Sequence, residues 1–165
     1  EDYLDVIFKK TASLFATSSM SGALLGGANE NDIQKLYSYG RNLGLGFQIF
    51  DDILDFEGEE TQLGKPIGSD LKNGIMTYPS IIARTKDKNI KKDIEELFQL
   101  SKKNKEIAAK EIANTIKRKG YIEESKNKAS ELIKSSINDI ETIDKNNVYI
   151  KSLEDLAYYS MNREK

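Results

Sequence analysis

Between Gly44 and Phe56 the chain reads Gly-Leu-Gly-Phe-Gln-Ile-Phe-Asp-Asp-Ile-Leu-Asp-Phe, and few folds can accommodate such a stretch. Wound as a helix, it places Gln48, Asp51, Asp52 and Asp55 at i, i+3, i+4 and i+7, within an arc of about 100°. Nearly every other position is apolar (Leu45, Phe47, Ile49, Phe50, Ile53, Leu54, Phe56), so the helix is hydrophobic over most of its circumference and belongs inside a bundle. Three carboxylates are then expected to face a cavity. Aspartates on a solvated face would be interleaved with lysines, yet no basic residue occurs between Leu43 and Phe56. Like charges one turn apart are unfavourable by a few tenths of a kcal/mol even in water, at about 0.2–0.5 kcal/mol per pair. When half-buried they must take up protons or find cations.

Composition narrows which cation. The 165 residues include no histidine and no cysteine, which removes thiolate chemistry, disulfides and the usual transition-metal ligands. Carboxylate oxygens remain, and these suit a hard ion, Mg²⁺ above all where phosphate oxygens can complete its octahedron. A diphosphate ligand is the natural third party. Twenty-five basic residues against 27 acidic ones give a net charge of −2, which provides no field for nucleic acid or an anionic membrane. No apolar run reaches the ~18 residues of a transmembrane helix.

Hydrophobic periodicity predicts helices throughout. One spans Tyr3 to about Leu25, with Leu4, Ile7, Phe8, Leu14 and Phe15 on its apolar stripe. Asn29 to Asp32 reads as a polar break, and a long segment follows from about Ile33 to Phe56. Gly40, Gly44 and Gly46 interrupt that segment at about 1 kcal/mol each against Ala, which implies a bend or a closely packed neighbour. Gly58 to Ser69 reads as a loop, and Pro79 sits near the start of the next helix. Stripes at Ile90, Ile94, Leu97 and Phe98, at Ile107, Ile112 and Ile116, at Ala129, Leu132, Ile133, Ile137 and Ile140, and at Ile150, Leu153, Leu156, Ala157 and Met161 predict the remaining helices. The fold class expected is all-α.

Two lysine-bearing segments flank the acidic helix: Lys10-Thr11-Ala12, and Gly64-Lys65-Pro66-Ile67-Gly68-Ser69-Asp70-Leu71. With Tyr39-Gly40-Arg41-Asn42-Leu43-Gly44, the Phe47-Gln48 pair before the aspartate triad, and Thr77-Tyr78-Pro79, they make residues 8 to 83 resemble the trans-type polyprenyl diphosphate synthases. The helices after residue 83 match that family loosely. The resemblance implies a helical bundle of the isoprenoid synthase type, with residues 1–165 as the C-terminal part of a single domain and about half to two-thirds of the full fold. It implies a Mg²⁺-dependent prenyltransferase: an allylic diphosphate ionises, isopentenyl diphosphate attacks the cation, a proton is lost and diphosphate is released.

The resemblance also carries residue roles. Asp51 and Asp55 would ligate Mg²⁺, Asp52 would ligate or support through water, and Asp70 would orient a metal-bound water. Lys10 and Lys65 would bind the allylic diphosphate, while the Thr11 hydroxyl and the Gln48 amide would line the developing carbocation. A homodimer is implied for the full-length enzyme, with no nucleic-acid partner.

Two departures shape the expectation. Ile75 stands where short-chain members place a lysine before the Thr-x-Pro segment, which resembles the long-chain octaprenyl and solanesyl synthases that make quinone side chains. The family's first aspartate-rich motif is not among these residues, so the chain is expected to be inactive alone. The start at Glu1-Asp2-Tyr3-Leu4 lies within a helical pattern and reads as truncated. The resemblance implies an intracellular protein, mitochondrial or otherwise organellar if it serves quinone synthesis. Two other readings use the same residues. A terpene cyclase half-domain is disfavoured by the Lys-Thr and Gly-Lys-Pro-x-Gly-x-Asp elements. A non-catalytic subunit of a hetero-oligomeric synthase is disfavoured by the intact acidic and basic positions.

Overall fold

The computed structural model describes residues 2–57, 66–143 and 147–161, and all of its regular structure is helical. Helix α1 covers Asp2–Ile7, a π-helical segment Phe8–Ala12, and α2 Ser13–Leu25. Helix α3 covers Glu30–Glu57, α4 Ser69–Lys72, α5 Tyr78–Lys86, α6 Lys88–Gln99, α7 Lys102–Arg118, α8 Tyr121–Glu141 and α9 Val148–Met161. Residues 1–48 with 128–165 form one compact unit and residues 49–127 another. Among the described residues no helix is long and apolar enough to cross a membrane.

In the first unit, the segment read as one helix carries an inserted π turn. Ile7, Ala12 and Ala16 are buried, spaced by five and then four residues, because the wider turn advances the apolar face by one position. Leu14 is thereby rotated into solvent at 71 % exposure, against the stripe expected from uniform α-helical spacing. Helix α3 begins earlier than the sequence suggested. The polar residues read as a break are its cap: Asn29 Oδ1 accepts from the Asp32 amide at 3.0 Å, and Asn29 Nδ2 donates to the Asp32 carboxylate at 2.8 Å.

Close packing explains the glycines of α3. A Cβ on Gly40 would lie 2.4 Å from the Phe15 carbonyl oxygen, one on Gly44 2.6 Å from the Ala12 Cα, and one on Gly46 2.6 Å from an Ile133 side-chain carbon. The first two admit the π segment and α2, and the third admits α8. A polar set fixes the same helix pair in register: Ser38 Oγ and Asn42 Nδ2 both donate to Asp139 Oδ2, at 2.8 and 3.0 Å. Tyr39 donates its hydroxyl proton to the Leu153 carbonyl of α9 at 2.8 Å, and burial pushes its phenol well above the ordinary range. On α9 the buried face is Ile150, Ala157 and Ser160, while Leu156 of the expected stripe is exposed.

In the second unit, α4 and α5 pack on α7, and α6 packs on both α5 and α7. Ile90, Ile94 and Leu97 of α6 and Ile112 and Ile116 of α7 are buried, as their periodicity predicts. Ile107 is 66 % exposed and Phe98 is also exposed, so each of those stripes is one residue narrower than expected. Asp87 caps α6 by accepting from the Asn89 and Ile90 amides at 2.9 and 3.2 Å, and it pairs with Lys119. The Lys119 hydrogen bond, followed by that of Ile90, holds the Asp87 carboxyl below its ordinary value. A depressed native value contributes stability above the unfolded value of about 4 and loses it as pH falls through the native one. Asp87→Ala is therefore expected to lower the melting temperature at neutral pH and to converge with the parent chain in acid. Melting curves recorded between neutral and acid pH check this, and an undiminished gap in acid would contradict it.

Candidate functional site

Helix α3 carries the whole polar row. Gln48 is 5 % exposed, Asp52 7 % and Asp55 1 %, while Asp51 is half-buried. Leu45, Ile49, Ile53 and Phe56 of the same helix are buried, so its apolar character is met by packing. The aspartates stand in the last two turns of α3, where the helix dipole is negative, and the last turn holds no basic residue. That placement is electrostatically adverse. Glu57 is relieved by Lys126, which donates to it at 3.0 Å and to Glu123 at 3.1 Å. Burial pulls the Lys126 ammonium down, but the hydrogen bonds to Glu57 and Glu123 outweigh it and leave the group above its ordinary value.

The donor set suits a hard cation. It consists of carboxylate oxygens from a chain with no histidine or cysteine, and Asp52 is removed from the water that would otherwise screen its charge. Among the described residues no three acidic side chains converge into a cage. Mg²⁺ needs none, since it takes one or two carboxylates and fills its other positions with water and phosphate oxygens.

In the first unit Thr11 and Gln48 come together: the Thr11 hydroxyl donates to Gln48 Oε1 at 2.6 Å. The π segment makes this approach possible, because its extra residue is taken up just where Ala12 seats against Gly44. Lys10 of the same segment is exposed and forms no ion pair with a described residue. Arg41 of α3 lies over the Phe8 ring, 5.9 Å from its centroid.

In the second unit Asp55 and Asp70 are neighbours through the main chain. The Asp70 amide donates to Asp55 Oδ2 at 3.0 Å, and the Gly68 amide donates to the Asp55 carbonyl oxygen at 3.0 Å. Lys65 lies outside the described residues, as do the positions 58–65 expected as loop. Sequence reasoning missed both the π turn and this double tie. The five-residue step from Ile7 to Ala12, where a regular α-helix would repeat its apolar face after three or four, was the available signal for the first. Gly68 ahead of Ser69-Asp70 was the signal for the second, since its backbone has φ +77°, a glycine conformation.

The chain's relatives define its family. Residues 1–116 match the Polyprenyl synthetase family, so the chain belongs to it. It is 42 % identical over 163 residues to a prenyl transferase of Cyanidium caldarium, covering 99 % of this chain and 49 % of that one. It is 34 % identical over 168 residues to a geranylgeranyl diphosphate synthase of Sulfolobus acidocaldarius, covering all of this chain and 50 % of the relative. The crystal structure of heptaprenyl diphosphate synthase from Staphylococcus aureus superposes with a TM-score of 0.91 at 32 % identity, covering 99 % of this chain and 50 % of that one. The chain thus spans about half the length of the proteins it matches. Its fold is the all-α isoprenoid synthase fold.

Proposed function

We propose that this chain supplies the second-aspartate-motif half of a Mg²⁺-dependent prenyl diphosphate synthase, which joins isopentenyl diphosphate to an allylic diphosphate. The observation that carries the reading is the burial of acidic side chains at the negative end of α3, an arrangement that a bound divalent cation would stabilise. Bound Mg²⁺ would neutralise the diphosphate as its carbon–oxygen bond breaks. On α3, the half-buried Asp51 and Asp52 beside it would hold that ion. Lys10 and Lys65 would each supply a compact ammonium donor for diphosphate, as the family resemblance implies.

The Thr11–Gln48 pair has a defined polarity. Thr11 gives its proton to Gln48 Oε1, so the hydroxyl's lone pairs point away from that bond and remain available to an electron-poor carbon. Gln48 would then act on the cation by orienting Thr11, in place of the direct contact that the resemblance suggests. Surrounding apolar side chains would keep water from capturing the cation.

The test is incorporation of labelled isopentenyl diphosphate into apolar product, by this chain together with residues that supply the first aspartate-rich motif. Turnover is expected to vanish with a chelator and to return with Mg²⁺. Turnover undiminished by the chelator, or none with any allylic primer, would overturn the proposal. A homodimer and a long-chain product are part of the same reading, and the exposed Ile75 in the place of a lysine supports the latter. Product chain length, read from the extracted prenyl alcohols, tests it directly.

A further inference from the structure

We infer that Asp55 is a positioning residue, a buckle that fixes the Gly68–Asp70 turn against α3, and that the cation is left to Asp51 and Asp52. The inference rests on the proposed metal site for its kinetic consequence and on geometry alone for its structural one. Asp55 is the most deeply buried of the three aspartates, at 1 % exposure. One of its carboxylate oxygens is committed to the Asp70 amide at 3.0 Å, and its carbonyl holds the Gly68 amide at the same distance. A buried amide deprived of its acceptor bears its full desolvation penalty, so this contact is costly to leave unmade. A Mg²⁺ ligand has the opposite requirements, since the ion retains several waters and dehydrates reluctantly.

The turn that Asp55 holds is built to be held. Gly68 adopts φ +77°, and a Cβ there would stand 2.8 Å from the Ala109 carbonyl oxygen of α7. Its own carbonyl accepts from Lys72 at 2.9 Å, and Asp70 O accepts from Ile75 at 2.8 Å. Leu71 is fully buried, and Lys72 pairs with Glu106 of α7. Asp70 therefore leaves the turn from a backbone whose amide and carbonyl are both fixed, and the amide is fixed by Asp55. A side chain so mounted has a defined direction before any ligand arrives, which is how an outer residue orients an inner one.

The experiment compares Asp55→Asn, which retains an acceptor oxygen but no charge, with Asp55→Ala, which retains neither. In metal-free protein, amide exchange at Asp70 is expected to match the parent in Asp55→Asn and to accelerate about 10- to 100-fold in Asp55→Ala. The Gly68 amide, bonded to the Asp55 backbone, should keep its protection in both and so reports any general loosening. In turnover, Asp55→Asn should need Mg²⁺ at concentrations within about threefold of the parent, whereas Asp51→Asn should need about 10- to 100-fold more. Unchanged Asp70 exchange in Asp55→Ala, or an Asp55→Asn metal requirement raised as far as that of Asp51→Asn, would overturn the assignment. Should Asp55→Ala not fold, the Asn variant decides by its metal requirement. Absence of Mg²⁺-dependent turnover in the parent would defeat the synthase reading, and the exchange measurements would still judge the buckle.

Discussion

Replacing Asp51 by alanine in the assembled enzyme is expected to lower Mg²⁺-dependent turnover by about 10²–10³-fold, the scale of losing a principal electrostatic contact to a transition state. Helix content should not fall with it. Asp51 lies in the C-terminal part of α3, one turn before Asp55 and close to Asp52, so its charge is opposed by both neighbours and by the helix dipole. Alanine also gains roughly 0.5 kcal/mol of helix propensity, so the helix itself should persist. A variant that keeps the parent's helix content yet is nearly inactive is the signature of a residue retained for its ligand. Circular dichroism and turnover measured on one preparation separate the two effects. Near-normal turnover would remove the metal role from Asp51.

Gly40→Ala should have the largest effect on stability among single-methyl changes in α3. On propensity alone the substitution gains about 1 kcal/mol. Here the added carbon would stand 2.4 Å from the Phe15 carbonyl oxygen and 2.8 Å from the Ala16 Cα, both of them backbone atoms that no rotamer change can move. α2 and α3 must separate, and overpacking of this kind costs about 1–3 kcal/mol. Gly22→Ala is the control: nothing lies within 4 Å of its Cβ position, and the same substitution is expected to stabilise by roughly 0.4–1 kcal/mol. Opposite signs in denaturant unfolding support the close approach. Equal and favourable changes at both positions would show that α2 does not press on Gly40.

The close approach at Gly40 also bears on function, because the same surface of α3 continues to Gly44, against which Ala12 of the π segment is seated. Thr11 is next to Ala12, and its hydroxyl meets Gln48 one turn beyond Gly44. Small residues in the middle of α3 therefore serve the Thr11–Gln48 pair as much as the core. Glycine was legible as an interruption of a helical pattern. That the interruption admits a neighbour's backbone depends on which helix lies there, and local sequence does not encode that.

Local chemistry determined the helical class, the extent of α6 to within a residue or two, and the acidic row, whose oxygen donors suit a hard cation. All of these follow from 3.6-residue periodicity and from the absence of histidine and cysteine, properties of short windows and of composition. Tertiary structure alone decided the π turn that exposes Leu14 and seats Ala12, because a one-residue insertion in a helix is chosen by the packing it satisfies. It also decided that Asp55 grips the amide of a residue 15 positions away. Three aspartates at i, i+1 and i+4 look equivalent along a helix. They became different when a distant backbone amide was brought to one of them, since burial and hydrogen bonding depend on what lies beside a side chain in space.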